Sequence, residues 1–360
     1  MALARGRRIL MRGNEAVAQA GMDAGCRAFF GYPITPQNQI PEYFAREMPK
    51  LGGVFLQAES EVAAINMVYG AAAAGVRVMT TSSGPGISLK QEGISYIAEC
   101  ELPCVIVNIM RGGSGLGNIA PSQSDYFQAV KGGGHGDYRT LVFAGWSVQE
   151  LYELTRGAFD IADRYRGPVI VLGDAVLGQM MEPVVIPEEV VDPAALPSKP
   201  WATTGAKGRP RNIINSLHID PPDLEEINLR IQRRYDQADK AEVRYATEEI
   251  EEAEIAVIAY GSAARVAVTA IAEARAAGLP VGLFRPISLF PFPSRELAAL
   301  AKRVRAMLVV ELSLGQMVED VRLAVEGRCP VQFFGRSGGI VVTPAQVLQE
   351  IERIAAETRG

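Results

Sequence analysis

The rhythm of the N-terminal half constrains this chain more than any single residue does. Short apolar runs recur at residues 28–31, 54–56, 76–79, 104–107, 141–143 and 169–172, each closed by a turn rich in Gly, Pro, Ser or Thr. Helix-compatible stretches lie between them, among them 60–75, 87–100 and 147–166. Strand-length runs separated by helices run parallel, because a parallel neighbour is reached only through a crossover connection. Helices then cover both faces of the sheet, so its strands read as continuous apolar runs without alternation. The expected fold is α/β with a doubly wound, mostly parallel sheet.

The rhythm breaks at about residue 183. Pro183, Pro187, Pro193, Pro197, Pro200, Pro210 and the Pro221-Pro222 pair follow, then a charged helical stretch from 224 to 243 with a thin apolar stripe. This segment reads equally as an arm around a neighbouring chain or as a simple inter-domain connection. Strand and helix patterns resume at 255–258, 281–284, 306–310 and 331–334. The expected organisation is a first α/β domain over 1–183, a Pro-rich arm with one charged helix over 184–250, and a smaller α/β domain over 251–360.

A chain that is 48% hydrophobic and 21% charged has an ordinary globular composition, and a net charge of −5 gives no basic face for nucleic acid. The basic start carries only the short apolar Ile9-Leu10-Met11, without the apolar core of a secretory signal, and no run approaches a membrane span. A cytoplasmic protein is expected. Cys26, Cys100, Cys104 and Cys329 form no Cys-x-x-Cys element, so they read as buried single thiols and any clusters belong to another chain.

In open parallel sheets ligands bind outside the carboxyl ends of the strands, and the chemically capable residues of this sequence cluster at such ends. Thr35-Pro36 follows the first run and has the form of a helix cap with proline in the first turn, which needs no function by itself. After the second run Ser60 is the expected N-cap, Glu61 lies in the first helical turn and Gly75 is the expected stop; Glu59 competes with Glu61 for any role. A first-turn acid is common, because the helix dipole favours its anion. Thr80-Thr-Ser-Ser83-Gly84-Pro85-Gly86 makes a tight turn whose backbone amides can hold an anion or a polar ring edge, without the Lys-Ser/Thr of a P-loop.

Arg111 ends the fourth run, and arginine suits a planar carboxylate as well as a surface ion pair. A glycine-rich, aperiodic loop follows, long enough to be functional or disordered. It reaches His135 among four glycines, a candidate active-site polar group. The other histidine, His218, lies in the arm, so no metal site is expected in this chain.

These strings resemble the alpha subunit of multi-subunit 2-oxoacid:ferredoxin oxidoreductases over nearly the whole length. The carriers are Gly31-Tyr-Pro-Ile-Thr-Pro36, Glu61 through Gly70, Ser83-Gly-Pro-Gly-Ile-Ser-Leu-Lys-Gln-Glu92, Leu102-Pro-Cys-Val-Ile-Val107 with Arg111, Gly261 and Arg285-Pro286. The Tyr-Pro-Ile-Thr-Pro string is specific to that family, whereas the glutamate spacing is shared among thiamine diphosphate enzymes. Gly132-Gly-Gly-His135-Gly-Asp-Tyr138 and Leu283-Phe-Arg-Pro-Ile-Ser-Leu-Phe-Pro-Phe-Pro293 are most similar to the branched-chain, 2-oxoisovalerate type.

The resemblance implies a thiamine-diphosphate pyrimidine-type domain followed by a transketolase-C-terminal-like domain. It implies that Glu61 hydrogen-bonds N1′ of the aminopyrimidine and so lets the 4′ group deprotonate the thiazolium. It also implies that Thr35 and Arg111 contact the keto and carboxylate groups of a 2-oxoacid, and that the Ser83–Gly84–Pro85–Gly86 turn lies beside the pyrimidine. The implied reaction is oxidative decarboxylation with coenzyme A to acyl-CoA, CO2 and reduced ferredoxin.

Thiamine diphosphate enzymes hold pyrophosphate and Mg with Gly-Asp-Gly and a later asparagine. Here Gly173-Asp174-Ala175 is the nearest string and no suitable asparagine follows. The resemblance therefore implies half a site: a beta subunit brings pyrophosphate, Mg and a cluster, a gamma subunit handles coenzyme A, and a ferredoxin-like delta subunit carries further iron–sulfur clusters. Such a chain is inactive alone. Two other readings stand beside this one: half of a non-oxidative thiamine enzyme, or a non-catalytic scaffold in which Glu61 only caps its helix. Among substrates, 2-oxoisovalerate comes first and 2-oxoglutarate second.

Overall fold

The computed structural model of the chain describes residues 6–359. The chain enters through β1 (Gly6–Arg12) and α1 (Gly13–Asp23), then follows β2 (Ala28–Gly31), α2 (Gln39–Glu47), β3 (Val54–Gln57), α3 (Glu61–Ala73), β4 (Val78–Ser82), α4 (Pro85–Glu99) and β5 (Cys104–Met110). A long loop holds the short α5 (Tyr126–Val130). It leads to β6 (Leu141–Ala144), α6 (Val148–Tyr165), β7 (Pro168–Asp174), α7 (Ala175–Gln179) and β8 (Met181–Pro187).

Every strand expected in this half is present, and β5 and β7 are buried along their whole length, as double-sided coverage requires. β1 and β8 pair antiparallel in a ribbon that covers α1 and α6 through Met11, Ala16, Tyr152, Val184 and Ile186. Thus Ile9-Leu10-Met11 belongs to a strand, and β8 runs across residues 183 and 184.

After the proline-rich stretch come α8 (Pro221–Ala241), β9 (Tyr245–Glu248), β10 (Ile255–Ile258), α9 (Gly261–Ala276), β11 (Val281–Pro286), β12 (Ser288–Phe290), α10 (Ser294–Leu300), β13 (Ala306–Glu311), α11 (Met317–Val325), β14 (Val331–Gly335) and α12 (Pro344–Arg359). The large sheet has seven strands in the order β12-β6-β7-β5-β4-β2-β3, and the second has five in the order β14-β13-β10-β11-β9. Both are parallel except at an edge, where β12 runs against β6 and β9 against β11.

The two sheets are laced together. β11 lies in the small sheet, yet the next strand, β12, pairs with the large one. At the crossing, buried Arg285 makes a two-pronged ion pair with Glu150 of α6 at 2.8 and 2.9 Å and lies over the Trp146 ring. Such a fork satisfies both charges at once, which a buried ion pair needs. One continuous apolar cluster holds Ile106 and Ile170 of the large sheet with Ile258, Phe284 and Met307 of the small one. Truncating a core residue of this kind to alanine costs about 2–5 kcal/mol.

The long loop after β5 is the second lace. Gln123 donates its backbone N–H to Leu312 O (2.9 Å) and its side-chain amide to Tyr260 O (2.8 Å), and its side-chain oxygen accepts from Leu312 N–H (2.9 Å). Tyr126 donates to Asp320 at 2.7 Å. The loop lacks periodicity because side-chain hydrogen bonds, not a helix or strand, satisfy it. Among the described residues no helix is long and apolar enough to cross a membrane.

Candidate active site

The large sheet creates a crevice by its connectivity. From β2 the chain passes through α2 to β3 on one side, whereas β4 lies on the other side of β2 and leads through α4 to β5, further away. The loops leaving β2 and β4 diverge, and such a switch point is where open parallel sheets bind ligands. α3, crossing from β3 back to β4, brings its first turn to the same place.

Glu61 opens that helix. Ser60 caps it by accepting the Ala63 N–H at 3.2 Å, and Gly75, with φ of +86°, follows its end as anticipated. Glu61 as a residue is only 6% exposed, and no hydrogen bond to its carboxylate is found among the described residues; the carboxylate oxygens themselves keep contact with solvent. It faces Gly86 in the first turn of α4: a Cβ at that position would lie 2.7 Å from Glu61 Oε1 and would collide with Ser82 Oγ. The hydroxyls of Ser82 and Ser83 are buried and also without partners. Glu59 is exposed, with no hydrogen bond into this group.

The Ser83–Gly86 turn carries the chain from β4 into α4, with Gly84 at φ +45° and Pro85 as the first helical residue. The Arg111 side chain packs on it, since a Cβ on Gly84 would meet Arg111 Cγ at 3.4 Å. Arg111 donates to Thr35 O and to Leu116 O, both at 2.9 Å, and its buried Nε is unpartnered. It therefore ties the β2 loop to the glycine loop that follows β5. Thr35 is exposed in a turn, and α2 starts only at Gln39 with Asn38 in the cap position. The helix start expected at Thr35-Pro36 is thus displaced, because the Gln37 N–H first closes a turn onto Ile34 O at 3.1 Å.

A chain of contacts thus runs from Glu61 to Gly86 of the Ser83–Gly84–Pro85–Gly86 turn, from Gly84 to Arg111, and from Arg111 to the backbone carbonyl of Thr35. His135 does not touch them. It is exposed on a glycine loop packed against Gln91 and Ser95, further along α4.

Several groups escaped the sequence reading. Asp125, mostly buried, accepts from Asn108 at 2.9 Å; burial raises its carboxyl, opposed by Asn108, the Gly84 backbone and the Arg111 charge. It anchors the turn that faces Glu61. Buried Gln37 accepts the Thr81 hydroxyl. Lys90 is fully buried, donating to Thr80 Oγ1 at 2.7 Å and Thr81 O at 3.0 Å, and burial pushes its amine down to about 7. The signal for Lys90 was a cation inside the apolar stripe Ile87, Lys90, Ile94.

Asp174, the nearest match to a pyrophosphate-and-metal motif, is a helix cap: its carboxylate accepts from Val176 N–H at 2.9 Å and Leu177 N–H at 3.1 Å. Among the described residues no three His, Cys, Asp or Glu side chains are grouped to hold a metal ion. The four thiols are buried and unpaired.

A doubly wound sheet with an unpartnered glutamate at its switch point is a setting in which open parallel sheets hold a ligand. Residues 19–270 match the family profile "Pyruvate flavodoxin/ferredoxin oxidoreductase, thiamine diP-bdg", and residues 253–347 match "Pyruvate:ferredoxin oxidoreductase core domain II". The chain belongs to this 2-oxoacid:ferredoxin oxidoreductase family.

It is 51% identical to the ketoisovalerate oxidoreductase subunit VorB of Methanothermobacter marburgensis, over 97% of this chain and 98% of that one. It is 38% identical to the 2-oxoglutarate synthase subunit KorA of Methanothermobacter thermautotrophicus, over 95% and 97%. Among solved structures, a 2-oxoglutarate:ferredoxin oxidoreductase from Magnetococcus marinus with 2-oxoglutarate, coenzyme A and succinyl-CoA bound superposes with a TM-score of 0.83 at 28% identity. That match covers 96% of this chain and spans 65% of the other. A split-gene transketolase matches at TM-score 0.60 and 14% identity, over 97% and 98%, a likeness of fold alone.

Proposed function

We propose that the chain is the pyrimidine-binding alpha subunit of a thiamine-diphosphate-dependent 2-oxoacid:ferredoxin oxidoreductase with 2-oxoisovalerate as substrate. The observation that carries this reading is Glu61: a largely buried residue whose carboxylate has no internal partner and stays open to solvent, facing a glycine where any side chain would intrude. The residues present fit an aminopyrimidine, which needs an acid for a ring nitrogen, hydroxyls or backbone for its amino edge, and a flat glycine-lined wall. The name of the 51% identical relative supports 2-oxoisovalerate over 2-oxoglutarate.

When bound, thiamine diphosphate would supply a nucleophilic thiazolium carbon and an electron sink for decarboxylation of a 2-oxoacid. In this reading Glu61 shares a proton with the ring nitrogen N1′ and so raises the basicity of the 4′ amino group. Ser83, Gly84, Pro85 and Gly86 form the wall against the ring, with Asp125 holding that turn in place. Thr35 and Arg111 receive the keto and carboxylate oxygens of the substrate, Arg111 through guanidinium hydrogens not spent on Thr35 O and Leu116 O. His135 is assigned to the outer edge of the site.

Because Asp174 is committed to its helix, pyrophosphate and Mg are assigned to a beta subunit. Iron–sulfur clusters and coenzyme A handling are assigned to beta, gamma and ferredoxin-like partners, and the complex to the cytoplasm. We also propose that the chain divides into domains at 1–183 and 251–360, joined by the arm at 184–250.

The test is Glu61→Gln in the reconstituted complex. Turnover with 2-oxoisovalerate, coenzyme A and ferredoxin should fall about 10²–10⁴-fold with assembly intact, the range for one positioned acid/base. Unchanged turnover would reduce Glu61 to a helix cap.

A further inference from the structure

Lys90 is a fully buried cation that the proposed reaction does not use. Lysine is almost never so buried without a paired charge, and no salt bridge is formed by its amine. Its place follows from the packing of α3 on α4. Gly86 of α4 faces Glu61 of α3, and Gly93 of α4 faces Ile65 of α3, where a Cβ would press on the Ile65 side chain. Glu61 and Ile65 are one turn apart, and Lys90 lies between Gly86 and Gly93 on the same side of α4. The two glycines let the helices approach closely, and Lys90, one turn beyond the glycine that meets Glu61, is buried between them with its amine on Thr80 and Thr81.

We propose that Lys90 is a positioning residue that controls the charge of Glu61, acting as a proton-responsive counter-ion beneath the cofactor-activating carboxylate. The inference rests on the reading of Glu61 given above and adds a means of regulation to it.

The hydrogen bonds agree with a switchable amine. A neutral amine has two hydrogens, and Lys90 has two acceptors, Thr80 Oγ1 and Thr81 O. The third hydrogen of the ammonium form has no acceptor among the described residues. The groups that face Lys90 are few: Glu61 from α3, Cys104 from β5, and Thr80 and Thr81 of β4. Burial lowers the amine and the Glu61 charge opposes it, so that it titrates at about 7, against an ordinary value of 10.5. Cys104 is a neutral thiol at that pH, since burial pushes it up to about 12.

Glu61 is then the one facing charge. The ammonium form of Lys90 places a positive charge near the Glu61 carboxylate, and the neutral amine withdraws it. Coupling of this kind is reciprocal.

The experiment uses the full chain labelled with 13Cε and 15Nζ in its seven lysines. NMR titration of Lys90 in the native chain should show a midpoint near neutrality, and Glu61→Gln should move it at least about one unit lower, because the opposing charge is gone. A Lys90 midpoint above 10, or one unmoved by Glu61→Gln, overturns the proposal. No cofactor is needed, so failure here is separate from failure of the Glu61 assignment, which the turnover test reads.

In the assembled complex, calorimetric affinity for thiamine diphosphate between pH 6 and 9 should show an inflection near 7 that Lys90→Met abolishes. Persistence of that inflection in the variant also overturns it. Below its unfolded value a lysine lowered by folding opposes stability, so stability rises with pH from about 7 towards 10.5. The native chain should show that rise in Tm relative to Lys90→Met. Where Lys90→Met does not fold, the native and Glu61→Gln titrations decide.

Discussion

Glu61 and Asp174 are two acids at the carboxyl ends of strands in one sheet, each at the start of a helix. At Asp174 the carboxylate accepts the N–H groups of Val176 and Leu177 and closes α7. Burial raises its carboxyl, and those amide bonds pull the other way. At Glu61 the capping work is done by Ser60, and the carboxylate is turned towards Gly86 with no partner of its own. A carboxylate whose hydrogen-bond capacity is unspent and open to solvent is available to a ligand, whereas one committed to its own helix is not. The same contrast extends outward. Ser82 and Ser83 hydroxyls and Arg111 Nε are unpartnered near Glu61, whereas the loop that follows them spends Gln123 on Tyr260 and Leu312 and Tyr126 on Asp320 of α11.

Exchanging the roles of the two acids breaks the comparison most directly. Glu61→Gln should produce the 10²–10⁴-fold loss of turnover given above while shifting stability by less than about 1 kcal/mol, because no internal bond is lost. Asp174→Ala should do the reverse: a loss of about 1–3 kcal/mol in denaturant unfolding, from an emptied cap and unpaired buried amides, with thiamine diphosphate affinity unchanged in the folded complex. Weakened cofactor affinity in a folded Asp174→Ala complex would mean that the string Gly173-Asp174-Ala175 serves the ligand after all.

The parallel strands were legible because a doubly covered strand leaves an uninterrupted apolar run, and each element from β2 to β7 appears within a few residues of such a run. β1 was not legible. Its Arg7, Arg8 and Arg12 belong to a ribbon with one wet face, so it resembles a basic tail. β12 is short and followed by Pro291, and only its pairing with β6 makes it a strand.

The helix start at Ser60-Glu61 and the Ser83–Gly86 turn were readable because capping and turn chemistry are local. Asp125 and Lys90 were not, because their roles depend on which elements pack against them. Thr35-Pro36 shows the limit of a local rule: the residues have the form of a cap, but a turn at Ile34–Gln37 postpones the helix.

Arg111 sharpens the comparison from the substrate side. Two of its five guanidinium hydrogens hold Thr35 O and Leu116 O, so one hydrogen on each terminal nitrogen and that on Nε remain. Arg111→Ala should raise KM for 2-oxoisovalerate about 10–100-fold, the equivalent of one charge-assisted hydrogen bond, and change thiamine diphosphate affinity much less. Arg111→Lys keeps the charge but not the fork that spans two loops, and should recover only part of the loss. An unaltered KM across 2-oxoacids would remove Arg111 from substrate binding and leave it as a loop tie.

The smallest effect belongs to His135. Its glycine loop rests on Gln91 and Ser95, five and nine residues past Gly86, which is roughly 8–13 Å along the α4 axis. A side chain exposed at that distance reaches the crevice only by way of a long substrate or a partner chain. His135→Ala should therefore change stability by less than about 0.5 kcal/mol, the usual range for a surface substitution. Its kcat/KM with 2-oxoisovalerate should change by less than about threefold, well under 1 kcal/mol of transition-state stabilisation. A loss above tenfold confined to KM would place His135 in direct contact with substrate and would extend the unpartnered side of the molecule along α4, past Lys90, to the glycine loop.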